Sequence, residues 1–255
     1  MPDDWSPLRQ ELARCRADGV DLPVWWRDDD AVAHTPALDR LDALSAKTAL
    51  PVHIAVIPRP ADETLVRAVR NSHNLIPLVH GWQHVSHSPE GVKKAEFGQP
   101  RHGAIIELQA AIGRLHELFG TRLLPVFVPP WNRFDGGFCA DLVRSGYGGI
   151  STFLPREEKT PAHGLTQVNT HIDPINWKGD RGLVSAQTLI DLTARTLSDR
   201  RTGLTDPSEP LGLLTHHLVH TEEVWQFSEK WIGEMQDGGA RPETPLQQET
   251  PDEQA

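Results

Sequence analysis

Short apolar runs alternate along most of the chain with segments whose apolar residues have helical spacing. The apolar runs predict buried strands at residues 22–26, 52–57, 75–79, 125–128, 148–153, 165–172 and 211–214. The amphipathic segments predict helices at residues 36–44, 61–69, 105–119, 138–145, 186–197 and 222–232, and a first helix carries Leu8, Leu12 and Cys15 on one face. Such alternation predicts a parallel sheet covered by helices, either as an α/β barrel or as an open sheet.

Two segments do not fit this alternation. Residues 85–102, rich in Pro, Gly and polar residues, predict a long loop, and loops of this length in compact domains are usually functional or disordered. Residues 236–255 contain almost no apolar side chains, which predicts a disordered tail. We therefore expect a single domain over residues 1–235, a length typical of one α/β barrel.

The composition and charge of the chain argue against several classes of function. A formal net charge of −10 disfavours binding to DNA or RNA. The chain has two cysteines, Cys15 and Cys139, and no CxxC pair, so a zinc site would have to use histidine and carboxylate ligands. No apolar stretch approaches the length of a membrane span, and the first residues do not resemble a signal peptide, which predicts a cytoplasmic protein.

Clusters of ionisable residues follow the predicted strands. In parallel α/β barrels the carboxyl ends of the strands form one rim, where active sites are built, so these clusters are candidates to converge. They are RDDD at 27–30, HGWQH at 80–84, VPPWN at 128–132, THIDPINW at 170–177 and LLTHHLVH at 213–220.

The first two clusters predict a metal site. His80 and His84 have the i, i+4 spacing that brings two imidazoles onto one face of a helical turn. Two imidazoles and one carboxylate from the acidic triplet would leave coordination positions open for water and substrate, as in catalytic zinc sites. The alternatives are surface histidines in a loop and a solvated acidic turn that caps a helix.

The other three clusters are less informative one by one. Pro129-Pro130 predicts a rigid turn beside Trp131, whose ring is either an apolar wall or a part of the core. The histidines after residue 213 follow a buried strand, and a neutral imidazole at that rim can act as an acid or a base near pH 7.

Taken in order, the five clusters resemble the motifs of the polysaccharide deacetylase family, the NodB-homology domain of carbohydrate esterase family 4. They read RDDDA, HGWQH, VPPWN, DPINW and LLTHH, and the resemblance extends from about Pro23 to Trp231. It implies an irregular (β/α)7 barrel and a metal-dependent deacetylase that uses Zn²⁺ or another divalent ion.

The resemblance also implies a role for each site residue. Asp30, His80 and His84 match the metal ligands, and Asp29 matches the general base; a register one residue earlier would shift the aspartate roles to Asp28 and Asp29. The acid that protonates the leaving amine would be His216 or, alternatively, His217. The supporting and substrate-binding positions would be Asp173, Trp177, Pro130, Trp131 and Asn132.

Two positions depart from the family pattern. Gly81 stands where the family has Ser or Thr, so a hydroxyl that orients the histidine turn is missing. Val128 stands where the family has the arginine that pairs with the catalytic base. Arg27 or Arg133 could supply this charge from a neighbouring position.

The expected function is therefore removal of an acyl group, most simply acetyl, from an amino sugar or a related small amide. The alternatives are a non-catalytic relative that binds a glycan or a metal, a single-metal amidohydrolase acting on a non-sugar amide, and a two-metal phosphoesterase. The last would need additional bridging carboxylates.

Overall fold

A parallel sheet forms the centre of the protein. The computed structural model describes residues 3–246. Seven parallel strands lie in the order β6-β5-β4-β3-β2-β1-β7, and a short eighth strand pairs with β1. The strands are β1 Pro23–Ala31, β2 Val52–Val56, β3 Leu75–His80, β4 Val126–Val128, β5 Gly149–Ile150, β6 Thr166–Gln167, β7 Leu211–Thr215 and β8 Arg241–Pro242.

Seven α-helices accompany the strands within the described residues. They are α1 Ser6–Ala17, α2 Pro36–Thr48, α3 Glu63–Asn71, α4 Ala104–Phe119, α5 Cys139–Arg144, α6 Ala186–Arg201 and α7 Glu222–Asp237. Helix α2 begins as the sequence predicts, because the Thr35 side chain accepts a hydrogen bond from the Leu38 N–H and Pro36 follows the cap. Within residues 3–246, no helix combines the length and the apolar character that a membrane span requires.

The curled sheet confirms the irregular (β/α)7 barrel. Beyond β6 the chain makes a single parallel bridge from Ile172 to Leu213 of β7, which links the two outer strands of the sheet. The irregularity lies in β5 and β6, where two-residue strands replace the longer runs predicted at 148–153 and 165–172. Single bridges such as Phe153 to Thr170 continue the pairing there.

The two faces of the sheet pack into separate apolar clusters. Trp26, Ile54 and Val79 belong to the large cluster between the sheet and the helices. Their sequence neighbours Trp25, Ala55 and Leu78 belong to a smaller cluster inside the curled sheet, with Val126, Val128 and Val168. Because strand side chains alternate between faces, Arg27 and Asp29 share the inner face with Trp25.

Strand β1 is longer than predicted. It continues through the whole acidic triplet to Ala31, with a bulge between Asp28 and Ala31, instead of ending at Trp26. A run of three carboxylates can remain in a buried strand when each carboxylate has a partner that offsets its charge or its lost hydration.

Part of the segment assigned to a disordered tail has a regular structure. Helix α7 continues to Asp237, and Arg241–Pro242 pairs in parallel with Pro23 and Val24 at the start of β1. Leu246 then packs against the inner apolar cluster. Residues 247–255 lie outside the described residues, and the domain boundary at 235 stays a prediction.

We expect Gly212→Ala to destabilise the barrel by about 1–3 kcal/mol or more, as overpacked cores do. An added Cβ would lie 2.5 Å from the Trp25 indole nitrogen and 2.7 Å from the Asn169 carbonyl oxygen, and these two atoms are hydrogen-bonded to each other. Urea unfolding measures the effect. Gly113→Ala in α4, where a Cβ would meet nothing within 4 Å, is the control and should be neutral or stabilising. Equal stability of the two variants would contradict this packing.

Candidate metal and catalytic site

Asp30, His80 and His84 converge at the carboxyl ends of β1 and β3. The Asp30 Oδ1 atom lies 3.1 Å from His80 Nε2 and 3.4 Å from His84 Nε2, and one ligand atom from each residue falls within 4.8 Å of the others. Both imidazoles thus direct the same nitrogen, Nε2, toward a shared carboxylate. The structure brings together the three residues predicted as metal ligands.

The spacing of these atoms fits a divalent metal. With bonds of about 2.0–2.2 Å, tetrahedral zinc ligands stand about 3.3–3.6 Å apart, close to the separations found here. His80 Nδ1 donates a hydrogen bond to the Val128 carbonyl at 3.0 Å, which leaves Nε2 as the free ligand atom. Such a fixed tautomer is typical of a metal-binding histidine, so the donor set suits zinc.

The two histidines are not on a helical turn, and that part of the sequence prediction is wrong. His80 ends β3, and the chain then turns through Gly81 at φ 57° and His84 at φ 58°. The left-handed conformation of His84 reverses the chain and directs the second imidazole back to the first. A loop, rather than the predicted helical turn, therefore brings the two imidazoles together.

Unfavourable backbone conformations gather at this site. Asp30, His84, Trp131 and Asn132 all have φ between 55° and 75°, although none is glycine. Such residues cost of order 1–3 kcal/mol each and persist where the surrounding structure holds them, commonly at functional sites. The concentration of four of them around one group supports a functional role for this end of the barrel.

Arg27 supplies the charge that the Val128 position lacks. Its Nε and Nη2 atoms donate to the two oxygens of Asp29 at 2.9 and 3.0 Å, a bidentate pair buried inside the barrel. Arg133, the other candidate, instead donates to the Lys94 carbonyl. The pair needs no arginine on β4, because residues 27 and 29 of one strand point to the same face.

Further contacts hold Arg27 in this position. Its Nη1 donates to the Ser151 hydroxyl at 2.7 Å, and its Nη2 donates to the Asn132 side-chain oxygen at 2.6 Å. Asn132, predicted to bind substrate, therefore uses its side-chain oxygen to bind Arg27. The guanidinium is fully buried with its donors used, which fixes the orientation of the Asp29 carboxylate.

Asp28 and His217, the two alternative catalytic residues, form a separate buried pair. Asp28 accepts hydrogen bonds from His217 Nδ1 at 2.5 Å, from the Thr215 hydroxyl at 2.6 Å and from the His217 backbone N–H at 3.0 Å. Burial raises the pKa of the Asp28 carboxyl, but the charge and hydrogen bond of His217, together with His220 and the Thr215 hydroxyl, lower the pKa overall. Asp28 is thereby hydrogen-bonded to the end of β7, and alternation along β1 places it on the face opposite Asp29.

His216 lies at the rim with Trp177 and Asp173. The rings of His216 and Trp177 meet edge to face with centroids 4.6 Å apart, and the Trp177 indole donates to Asp173 Oδ2 at 2.7 Å. Burial raises the pKa of the Asp173 carboxyl overall, although the charge of nearby His216 opposes this effect. The hydrogen bonds of Asp173 go to Trp177 and to the Ile175 N–H, so the Trp177 ring links Asp173 to His216.

Two predicted wall residues have different surroundings. The Trp131 ring lies against His84 with centroids 4.3 Å apart and stays partly exposed beside the metal ligands. Pro130 is buried and lies against Gly81, so it contacts the histidine turn rather than the open rim. Of the two, Trp131 is placed to meet a bound molecule.

Asp30 and His84 have pKa values shifted toward the forms that bind a metal. Burial raises the pKa of the Asp30 carboxyl, yet the hydrogen bond and the charge of His80 outweigh burial and hold this pKa below its ordinary value. Burial and the charge of His80 lower the pKa of His84. An ionised carboxylate next to a neutral imidazole is the protonation state that metal binding requires.

Glu96 is a site neighbour that sequence analysis missed. It comes from the loop at 85–102 and is 1% exposed, and its carboxylate accepts hydrogen bonds from the backbone N–H groups of Trp82 and Gln83. A lone acidic residue in a polar loop gives no sign in the sequence that it will be buried. The loop at 85–102 is present as predicted.

Comparisons with known proteins find likeness in structure and none in sequence. No protein-family model and no curated protein matches the sequence. A candidate polysaccharide deacetylase from Mycobacterium smegmatis superposes with a TM-score of 0.61 at 16% identity, over 91% of this chain and 96% of that one.

Two carbohydrate esterases of family 4 give similar results. The Streptococcus mutans esterase has a TM-score of 0.56 at 12% identity, over 91% of this chain and 88% of its own. The Streptomyces lividans esterase, solved with acetate, has a TM-score of 0.54 at 13% identity, over 88% and 93%. This chain therefore has the NodB-like fold of the polysaccharide deacetylases and carbohydrate esterases of family 4.

Proposed function

We propose that the protein is a metal-dependent hydrolase that removes an acyl group, most simply acetyl, from the nitrogen of an amino sugar or a related small amide. The observation that carries the proposal is the convergence of Asp30, His80 and His84 directly beside the buried Arg27–Asp29 pair. The fold and the family resemblance support it. The metal is zinc or another divalent ion.

Each polar residue of the site has a distinct part in this reaction. Asp30, His80 and His84 would hold a divalent metal, which would supply Lewis acidity at this site. Asp29, oriented by its two hydrogen bonds from Arg27, accepts the proton of the attacking water.

Departure of the nitrogen requires an acid, because an amide nitrogen is a poor leaving group until it is protonated. His216 is assigned this role because it lies at the rim, partly exposed, whereas His217 is 2% exposed and bound to Asp28. Trp177 orients the His216 ring, and Trp131 forms the apolar side of the binding site. Asp28 and His217 serve as a structural pair between β1 and β7.

Val128 in place of the family arginine favours the alternative of a non-catalytic relative. The Arg27–Asp29 pair counts against that alternative, since it gives the proposed base an ionic partner. A two-metal phosphoesterase is also less favoured. Within residues 3–246 the two groups of potential ligands, Asp30/His80/His84 and His87/Glu96/Glu107, share no carboxylate that could bridge two ions.

The direct test combines metal analysis with a deacetylation assay. Protein purified without chelators is expected to contain about one zinc or similar ion per chain and to release acetate from N-acetylated amino sugars or small N-acetyl amides. Removal of the metal should abolish acetate release, and added zinc should restore it. A metal-free protein that gains no activity with zinc, cobalt or manganese would refute the proposal.

His216→Ala is expected to lower turnover about 10²–10⁴-fold, the usual contribution of a general acid, while the metal content stays unchanged. Because a good leaving group needs less protonation, the loss should be much smaller for N-acetyl-4-nitroaniline than for an N-acetylated alkyl amine. Initial rates for both substrates measure this difference. An equal loss on both substrates would show that His216 acts in some other way.

A further inference from the structure

The turn that carries the second histidine is held from inside by a carboxylate. Glu96 Oε2 accepts from the Trp82 N–H at 3.0 Å, and Glu96 Oε1 accepts from the Gln83 N–H at 2.9 Å. Both donors lie between His80 and His84. Charge-assisted bonds of this kind are stronger than bonds between neutral groups, particularly when the carboxylate is buried.

Gly81 makes room for this carboxylate. A Cβ at position 81 would lie 2.1 Å from Glu96 Oε2 and 2.6 Å from Pro130 Cγ, and its backbone is also left-handed, with φ 57°. No side chain, serine or threonine included, fits here while Glu96 keeps its position. Gly81 and Glu96 therefore form one arrangement in place of the hydroxyl residue that the family resemblance leads one to expect.

The segment that supplies Glu96 is firmly anchored. Its neighbours Ala95 and Phe97 are buried, and the Phe97 ring packs edge to face against Phe127 at 5.3 Å. The Asp135 N–H donates to the Phe97 carbonyl at 2.9 Å. Because the backbone on both sides of Glu96 is fixed, its carboxylate can determine the conformation of the histidine turn.

We propose that Glu96 is a positioning residue of the metal site, which holds residues 81–84 in the turn that directs His84 Nε2 to His80 and Asp30. The left-handed backbone of His84 is unfavourable by itself and needs such support. The effects on catalysis and on metal affinity rest on the proposed function, but the effect on the turn does not.

The same carboxylate belongs to a second group of potential ligands with His87 and Glu107. Its two oxygens already accept backbone hydrogen bonds, and Glu107 is paired with Arg101. These contacts favour the positioning role over a second metal site. The two roles differ in the number of ions bound per chain.

The test is Glu96→Gln, which keeps the shape of the side chain and replaces one acceptor with an NH2 group that faces an N–H. Zinc affinity, measured by competition with a chromophoric chelator, is expected to fall about 10–100-fold, as it does when a residue that supports a metal ligand is changed. Amide hydrogen exchange at Trp82 and Gln83 should accelerate. Glu90→Gln, an exposed position in the same loop, is the control and should change neither.

A double-mutant cycle shows whether Glu96 acts through His84. In a His84→Ala background, Glu96→Gln should cause no further loss of zinc affinity. Unchanged affinity in the single variant, an equal loss in both backgrounds, or the loss of a second bound zinc would overturn the proposal.

The amide-exchange measurement needs neither metal nor turnover, so it tests the turn even if the proposed function fails. Faster exchange at Trp82 and Gln83, without faster exchange in distant strands, supports the role of Glu96 in the turn, and unchanged exchange there overturns it.

Discussion

His80→Ala is expected to remove the bound metal and to lower amide hydrolysis on the order of 10³-fold or more. The variant deletes one of three ligand atoms and also the hydrogen bond from Nδ1 to the Val128 carbonyl that orients the ring. Lewis-acid activation is worth several kcal/mol, and each 1.4 kcal/mol corresponds to a tenfold change in rate. Elemental analysis and acetate release measure the two effects together.

The control for this variant is His73→Ala. His73 is exposed and lies just before the same strand, β3, so it should affect neither metal content nor activity. Full metal occupancy in His80→Ala would mean that the metal binds elsewhere. An inactive but metal-loaded variant would separate catalysis from this ligand set.

Arg27→Leu is expected to destabilise the fold by about 3–5 kcal/mol and to reduce activity severely. Removing one partner of a buried ion pair leaves the other charge without compensation, and that cost is paid in the free energy of unfolding. Asp29 also loses the two hydrogen bonds that orient its carboxylate as the proposed base. Urea unfolding and initial rates at neutral pH measure both consequences.

Two further variants test whether Arg27 is the ionic partner of Asp29. Arg27→Lys keeps the charge but not the bidentate geometry, so it should fall between the wild type and Arg27→Leu. Arg133→Leu changes the arginine that donates to the Lys94 carbonyl and should have little effect on Asp29. Comparable losses in the Arg27 and Arg133 variants would contradict the assignment of Arg27 as the partner of the base.

Much of the barrel could be predicted because it depends on local pattern. Buried parallel strands are continuous apolar runs, and β2, β3, β4 and β7 lie within a few residues of the predicted positions. The two-residue strands β5 and β6 could not be delimited. Their pairing is set by the curvature of the sheet and by distant bridges such as Ile172 to Leu213, rather than by a pattern within the run.

The site residues could be predicted where ionisable side chains directly follow a predicted strand. Asp30, His80 and His84 meet because β1 and β3 are both neighbours of β2 and end on the same side of the sheet. The contacts that hold these ligands could not be predicted from the sequence. Glu96 reaches the histidine turn through a loop, and a loop has no periodic pattern from which its path could be predicted. The Val128 carbonyl is a backbone group, so its contact with His80 does not depend on the type of residue at position 128.

The pairing of β8 with the start of β1 has a practical consequence for handling the protein. Val24, beside Pro242, and Asp30 are six residues apart on one strand, about 20 Å at 3.3 Å per residue. Arg241–Pro242 therefore lies at the end of the barrel opposite the metal ligands. Attachment of the protein to a bead or a sensor chip at that end should leave the rim free to bind ligands.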